Sequence, residues 1–212
     1  MKAGIWVGRR RLAAALAAWP LAMLPRVASA QHAPLDGDAP QIKVGDRWKY
    51  EQIDAYSGAR EFALIRTVTR VSPTSIEGIE DAGTFRMNRS LQVLDSPRGR
   101  ASEGAMLIDF PLEVGKRWDY RNEFASKTSG MWVMLQVAVI VSLQERVVVP
   151  AGEFEAFKME GRGNYRNYLS GSSGSFSMTY WFAPSARNVV RTEFRDPVNR
   201  TIVQLVELTL QD

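Results

Sequence analysis

Val44-Gly45-Asp46-Arg47-Trp48-Lys49-Tyr50 returns seventy residues later as Val114-Gly115-Lys116-Arg117-Trp118-Asp119-Tyr120, identical at five of seven positions. Other phrases keep the same order and nearly the same spacing. Ala82-Gly83-Thr84-Phe85 is matched by Ala151-Gly152-Glu153-Phe154, and the MLIDFP of 106–111 is echoed by the MTYWFAP of 178–184. Two copies of so long a unit do not make a solenoid, which stacks three or more short repeats. The recurrence predicts one domain over 41–212 built by duplication, with units at 41–110 and 111–182 and closing strands in 183–212.

Within the units the hydrophobic period is two. Over 117–124, Trp118, Tyr120 and Phe124 share one face and Arg117, Asp119, Arg121 and Glu123 the other, the pattern of a half-buried strand. The stretch 131–143 is β-branched and apolar on its odd face, with Val133, Leu135, Val137, Val139 and Val141. It is nearly as apolar on its even face, through Trp132, Met134, Ala138 and Ile140, which predicts a strand covered on both sides. Turns are expected at Ser57-Gly58, 127–130, Pro150-Ala151-Gly152, 170–175 and 196–199. No stretch of ten residues beyond position 30 has helical periodicity. The fold class is therefore all-β and antiparallel, a sandwich or an open, curved barrel of two β-meander units.

The first thirty residues belong to a different regime. Lys2, Arg9, Arg10 and Arg11 precede an apolar run over 12–24, and Ala28-Ser29-Ala30 supplies the small-x-small pattern that signal peptidase requires. A run of that length is too short for a membrane span, which takes about 20 residues. The segment reads as a signal peptide cut between Ala30 and Gln31, leaving no transmembrane segment in a periplasmic or secreted product. With no Cys in the chain, no lipid is expected at the cleavage point. Gly8-Arg9-Arg10-Arg11-Leu12 partly matches a twin-arginine signal, so both export routes stay open. Residues 31–40 read as a flexible leader.

Removing the signal changes the charge. The chain holds 27 Lys and Arg against 23 Asp and Glu, and five of the basic residues lie within 1–30, so the product has a formal charge of −1. Nucleic-acid binding needs clustered cations to displace counterions. The groups Arg86, Arg89, Arg98, Arg100 and Arg187, Arg191, Arg195, Arg200 are interleaved with polar residues and read as solvated strand faces, so no nucleic-acid partner is expected.

VGDRWKY at 44–50, PLEVGKRWDY at 111–120, VVVPAGEFEAFKMEG at 147–161 and YWFAPSARNVVRTEF at 180–194 resemble a broad group of secreted bacterial proteins of unknown function. The phrases they share are PL-x-VG-x-x-W-x-Y, V-x-VPAG-x-F-x-A-x-K-x-E and W-x-AP-x-VG-x-V-K. The likeness is strongest over 111–194 and departs at 185–188, where Arg187-Asn188 stands in place of Val-Gly. It implies an envelope β domain and brings no catalytic residues with it.

The residue inventory excludes several chemistries. The one His, His32, lies in the leader, whereas nucleophilic triads need a rigidly held imidazole. Zinc sites draw mainly on His and Cys, so neither a metal nor a cofactor is expected. The SGSSGS of 170–175 is not a nucleophile elbow, and Gly161-Arg162-Gly163 lacks the third Gly and the helix of a nucleotide loop. Glu153, Glu155 and Glu160 could pair as acids, but alternating strand residues meet that spacing everywhere. No catalytic residue is assigned and the protein reads as a non-enzyme.

Binding is left to the aromatics. Tyr165, Arg166 and Tyr168, then Tyr180 and Trp181, set flat rings beside amide and guanidinium groups, and Trp132 adds a further ring. Three readings stand: a module binding an apolar or envelope-derived ligand (a lipid, a sugar or an envelope protein), a structural or assembly factor of the envelope, and a carboxylate hydrolase. A cavity lined by Trp132, Met134 and Tyr180 would favour the first.

Overall fold

A computed structural model describes residues 35–81 and 83–212. The expected signal segment, its cleavage site at Ala30 and Gln31, His32 and Ala82 lie outside the described residues. Twelve strands follow one another: β1 (Arg47–Asp54), β2 (Arg60–Val71), β3 (Ser75–Glu80), β4 (Gly83–Asn88), β5 (Val93–Ser96), β6 (Gly99–Ala101), β7 (Arg117–Ser126), β8 (Trp132–Val149), β9 (Gly152–Asn167), β10 (Ser173–Ala183), β11 (Asn188–Arg195) and β12 (Arg200–Thr209). Each pairs antiparallel with its sequence neighbour, and β12 pairs with β1 from Arg47↔Thr209 to Asp54↔Thr201, so the wall is a closed barrel. Closure pairs the first strand with the last, although β8 beyond Val141 pairs with β9 alone. Among the described residues no helix is long and apolar enough to cross a membrane.

Because odd strands all run one way, the turns after β1, β3, β5, β7, β9 and β11 gather at one end, here the tip end. The opposite end carries the chain reversals after the even strands. It also receives residues 35–40: Leu35 packs on the core, and Leu112 donates its N–H to the Gly37 carbonyl at 2.6 Å.

The two Val-Gly phrases fold alike. Gly45 and Gly115 both have φ of +94°, a conformation that side chains rarely adopt. Gly45 N–H donates to Val68 and Gly115 N–H to Val141, each at 2.8 Å, which ties the entry of a strand to a neighbouring strand. Trp48 and Tyr50 then point into the barrel, as do Trp118 and Tyr120. The copies differ in polar partners. Trp48 Nε1 donates to the Ala186 carbonyl at 2.9 Å, whereas the buried Trp118 Nε1 has no partner among the described residues. Asp46, fully buried, accepts from Lys43 N–H, Gln211 N–H and Arg187 Nη1, where the second copy has Lys116. Arg187 holds a left-handed φ of 54° while making that pair, which lashes β1, β11 and the C-terminal segment together.

Two readings of the sequence need correction. Strand β8 is covered on its odd face only: Val133, Val137, Val139 and Val141 are buried, whereas Trp132, Gln136 and Ala138 on the even face are exposed. A barrel wall has one dry side, and Trp132, Met134, Ala138 and Ile140 are apolar side chains on the outer one. Trp132 and Tyr180 consequently lie on opposite sides of the wall and cannot line one cavity. Strand β8 also runs on past a bulge between Val141 and Leu143, and with β9 makes a long hairpin whose Ala151 N–H reaches the Leu205 carbonyl of β12 at 3.1 Å. The interior is filled by Trp48, Phe157, Phe182, Met159, Ile76 and Leu205, and Glu80, as fully buried as Asp46, is held by Arg66 Nη2 at 2.7 Å.

Strand β7 gives a direct test of facing. Truncating Trp118 to Ala is expected to cost about 3–5 kcal/mol. Replacing its exposed neighbour Arg117 by Ala should cost less than about 0.5 kcal/mol. Urea denaturation of the two variants measures both, and equal costs would contradict the assigned facing.

Candidate functional site

The structure disperses the six candidate residues. Tyr165 and Tyr180 face inward; Tyr165 packs between Leu135 and Gly174, and Tyr180 is buried with Oη 3.4 Å from Tyr120 Oη. Burial raises the phenols of Tyr180 and Tyr120 above the ordinary tyrosine range. Trp181 faces outward near the other end of β10 and is covered there, its Nε1 donating to Glu145 Oε1 at 2.7 Å beneath Lys158 and Arg191. Only Trp132 and Tyr168 come together, ring centroids 4.7 Å apart at the tip end, with Arg166 one row below on the same outer face.

Below those rings the outer face of β7–β11 forms a groove of about 940 Å³. Its floor is two cross-strand rows. Arg121, Gln136, Asn164 and Ser175 stand opposite one another in one, and Asp119, Ala138, Arg162, Ser177 and Arg195 in the other. Every one of these positions alternates away from the core, so sheet register alone brings donors and acceptors from five strands to one surface. Tyr56, Asp196 and Pro197 border the groove from the tip end.

The charges divide into committed and free. Arg121 donates to Glu123 at 2.8 Å and lies by the Tyr168 phenol, and the carboxylate raises its pKa. Asp196 Oδ1 accepts the N–H groups of Val198 and Asn199 and stabilises its own turn. Burial works against the charge on Asp196, but these bonds and the Asn199 side chain outweigh it and hold the carboxyl below its ordinary range. Asp196 is therefore ionised at neutral pH and is no general acid. Arg162 and Arg195 have no ion-pair partner among the described residues. No three of His, Cys, Asp and Glu converge among the described residues as metal ligands would.

No protein-family model matches the chain, and no curated protein matches it. Three solved structures resemble it in shape. A candidate lipoprotein from Parabacteroides distasonis superposes with a TM-score of 0.56 at 17% identity, covering 84% of this chain and all of the other. An exported-protein candidate from Bacteroides fragilis, itself described as having a YmcC-like fold, gives 0.55 at 16% identity over 82% of this chain and all of its own. The barrel shares its overall fold with these two structures. The hypothetical lipoprotein YmcC from Escherichia coli gives 0.47 at 7% identity, over 78% of this chain and 86% of its own.

Of the residues lining the groove of this barrel, sequence reasoning singled out few. Asp119, Arg121 and Arg162 are ordinary polar positions on alternating strands. Their shared surface follows from register, which a bulge such as the one after Val141 shifts by a residue.

Proposed function

We propose that the chain is an exported, non-catalytic barrel protein that binds an envelope-derived ligand of glycan chemistry in the groove of β7–β11. The observation that carries this reading is the double row of hydrogen-bonding side chains: amides from Gln136 and Asn164, hydroxyls from Ser175 and Ser177, and unpaired guanidinium groups from Arg162 and Arg195. Sugar hydroxyls both donate and accept, and a mixed set of this kind can satisfy them. The groove's volume lies within the range of small-molecule sites. An apolar ligand held inside the barrel is disfavoured because Trp and Phe side chains already fill that space. Export is supported by the signal pattern and by the exported and lipoprotein descriptions of the structural neighbours.

Native mass spectrometry of the protein purified from its own periplasm tests the reading. A retained mass of saccharide composition is expected, and Arg162→Ala with Asn164→Ala should lower its occupancy about tenfold or more while leaving the circular dichroism unchanged. A retained lipid, or no retained mass at all, would count against it.

A further inference from the structure

Hairpin tips in water are usually made of Gly, Asn, Asp and Ser, which supply turn geometry and expose little apolar surface. Four tips at one end of this barrel depart from that habit with aromatic or aliphatic side chains, whereas the opposite end exposes Val44, Val114 and Val148. The turn after β1 presents Tyr56 at 65% exposure; that after β7 leads into Met131 and Trp132, the latter 47% exposed. The turn after β9 carries Tyr168 and Leu169 at 38% and 68%, and the turn after β11 carries Val198 at 77%. Trp132 and Tyr168 meet across two of these tips, while Tyr56 and Val198 stand on separate projections with polar residues between them. A protein partner would need matching relief for each, whereas a lipid head-group layer deforms around all of them.

Charge points the same way. The tip segments 54–60, 126–132, 166–173 and 195–200 carry Arg60, Lys127, Arg166, Arg195 and Arg200 against Asp54 and Asp196. Arg60, Lys127 and Arg200 reach Glu51, Asp95 and Glu193, which leaves Arg166 and Arg195 without an ion-pair partner among the described residues. Tyr and Trp beside Arg and Lys is the composition of membrane–water interfaces. The wall itself is no lipid-facing band, since Asp119, Arg121, Gln136 and Arg162 occupy its outer face.

We propose that the barrel docks tip-first on an anionic bilayer, with Tyr56, Trp132, Leu169 and Val198 entering the head-group layer. This goes beyond ligand binding in the groove, which would then open just above the membrane surface.

Co-sedimentation with vesicles of phosphatidylethanolamine and phosphatidylglycerol tests it, with phosphatidylcholine vesicles as the uncharged comparison. The exported protein should bind the anionic vesicles, with a blue shift of Trp emission, and about tenfold more weakly to the uncharged ones. Leu169→Asp with Val198→Asp, two side chains too exposed to matter for folding, should weaken binding roughly a hundredfold. Trp132→Ser should abolish the blue shift. The groove variant Arg162→Ala should bind vesicles as the parent does, whatever mass spectrometry shows of the glycan. No binding to either vesicle, binding indifferent to the tip variants, binding lost in Arg162→Ala, or a dimer that the tip variants dissolve would each overturn the proposal.

Discussion

Trp48→Ala is expected to destabilise the barrel by about 3–5 kcal/mol through the lost ring alone. Trp48 is completely buried and is the largest such side chain described. Its Nε1–H also satisfies the Ala186 carbonyl between β10 and β11, so truncation leaves that oxygen buried without a donor, at a further cost of about 1–3 kcal/mol. A domain whose whole stability is about 5–15 kcal/mol would be brought to the edge of unfolding. Replacement by Phe separates the two contributions. Trp48→Phe loses the hydrogen bond, whereas Trp118→Phe removes an Nε1–H that bonds to nothing among the described residues. In urea denaturation Trp48→Phe should therefore cost about 1 kcal/mol or more beyond Trp118→Phe. Equal costs would mean that the Ala186 bond contributes nothing net.

Alkali should unfold the protein steeply. Burial holds the phenols of Tyr50, Tyr120 and Tyr180 above the ordinary value of 10.0; for Tyr50 the nearby Arg66 opposes the effect only in part, and for Tyr120 the bond with Tyr180 opposes it. The folded state thus keeps three protons that the unfolded chain surrenders above pH 10. Their stabilising effect is complete below that pH and is lost as pH rises toward the folded-state values. Each retained proton costs about 1.4 kcal/mol of stability per pH unit, so three together cost about 4. Tyrosinate absorbance from the buried rings should rise with the loss of near-ultraviolet circular dichroism, in one transition. Tyr180→Phe removes one titrating group and should move that transition to higher pH. Ionisation of the buried rings in a still-folded protein would contradict the account.

The fold class was legible because period-two alternation survives in the sequence wherever one strand face is dry. Trp118 and Tyr120 inside with Arg117 and Asp119 outside is read off a single strand. The candidate site was not legible by the same means. Tyr180 and Trp181 are adjacent in the chain, and a strand sends adjacent side chains to opposite sides of its sheet, so two neighbouring rings could not share a surface. Arg121, Asn164 and Ser175 share one because three strand pairings bring them level, which depends on turn lengths and bulges. The clasp at Asp46 was equally hidden, since its partners Arg187 and Gln211 lie 141 and 165 residues away.

The seam between β1 and β12 bears on the export proposed for this chain. The first strand of the wall is also the last to be completed, because its outer neighbour is the twelfth to be made. If the chain is threaded unfolded, β1 arrives early and waits with a bare edge, Trp48 lacking Ala186 and Asp46 lacking Arg187 and Gln211 until the far end of the polypeptide has followed. Long sequence separations of this kind slow folding and expose edges to aggregation. A holding factor present during that interval would lower the risk of aggregation. Passage of the finished barrel removes the interval, since the seam is sealed before departure. The efficiency of export in cells deprived of periplasmic chaperones therefore discriminates between the two routes left open by Arg9 and Arg10.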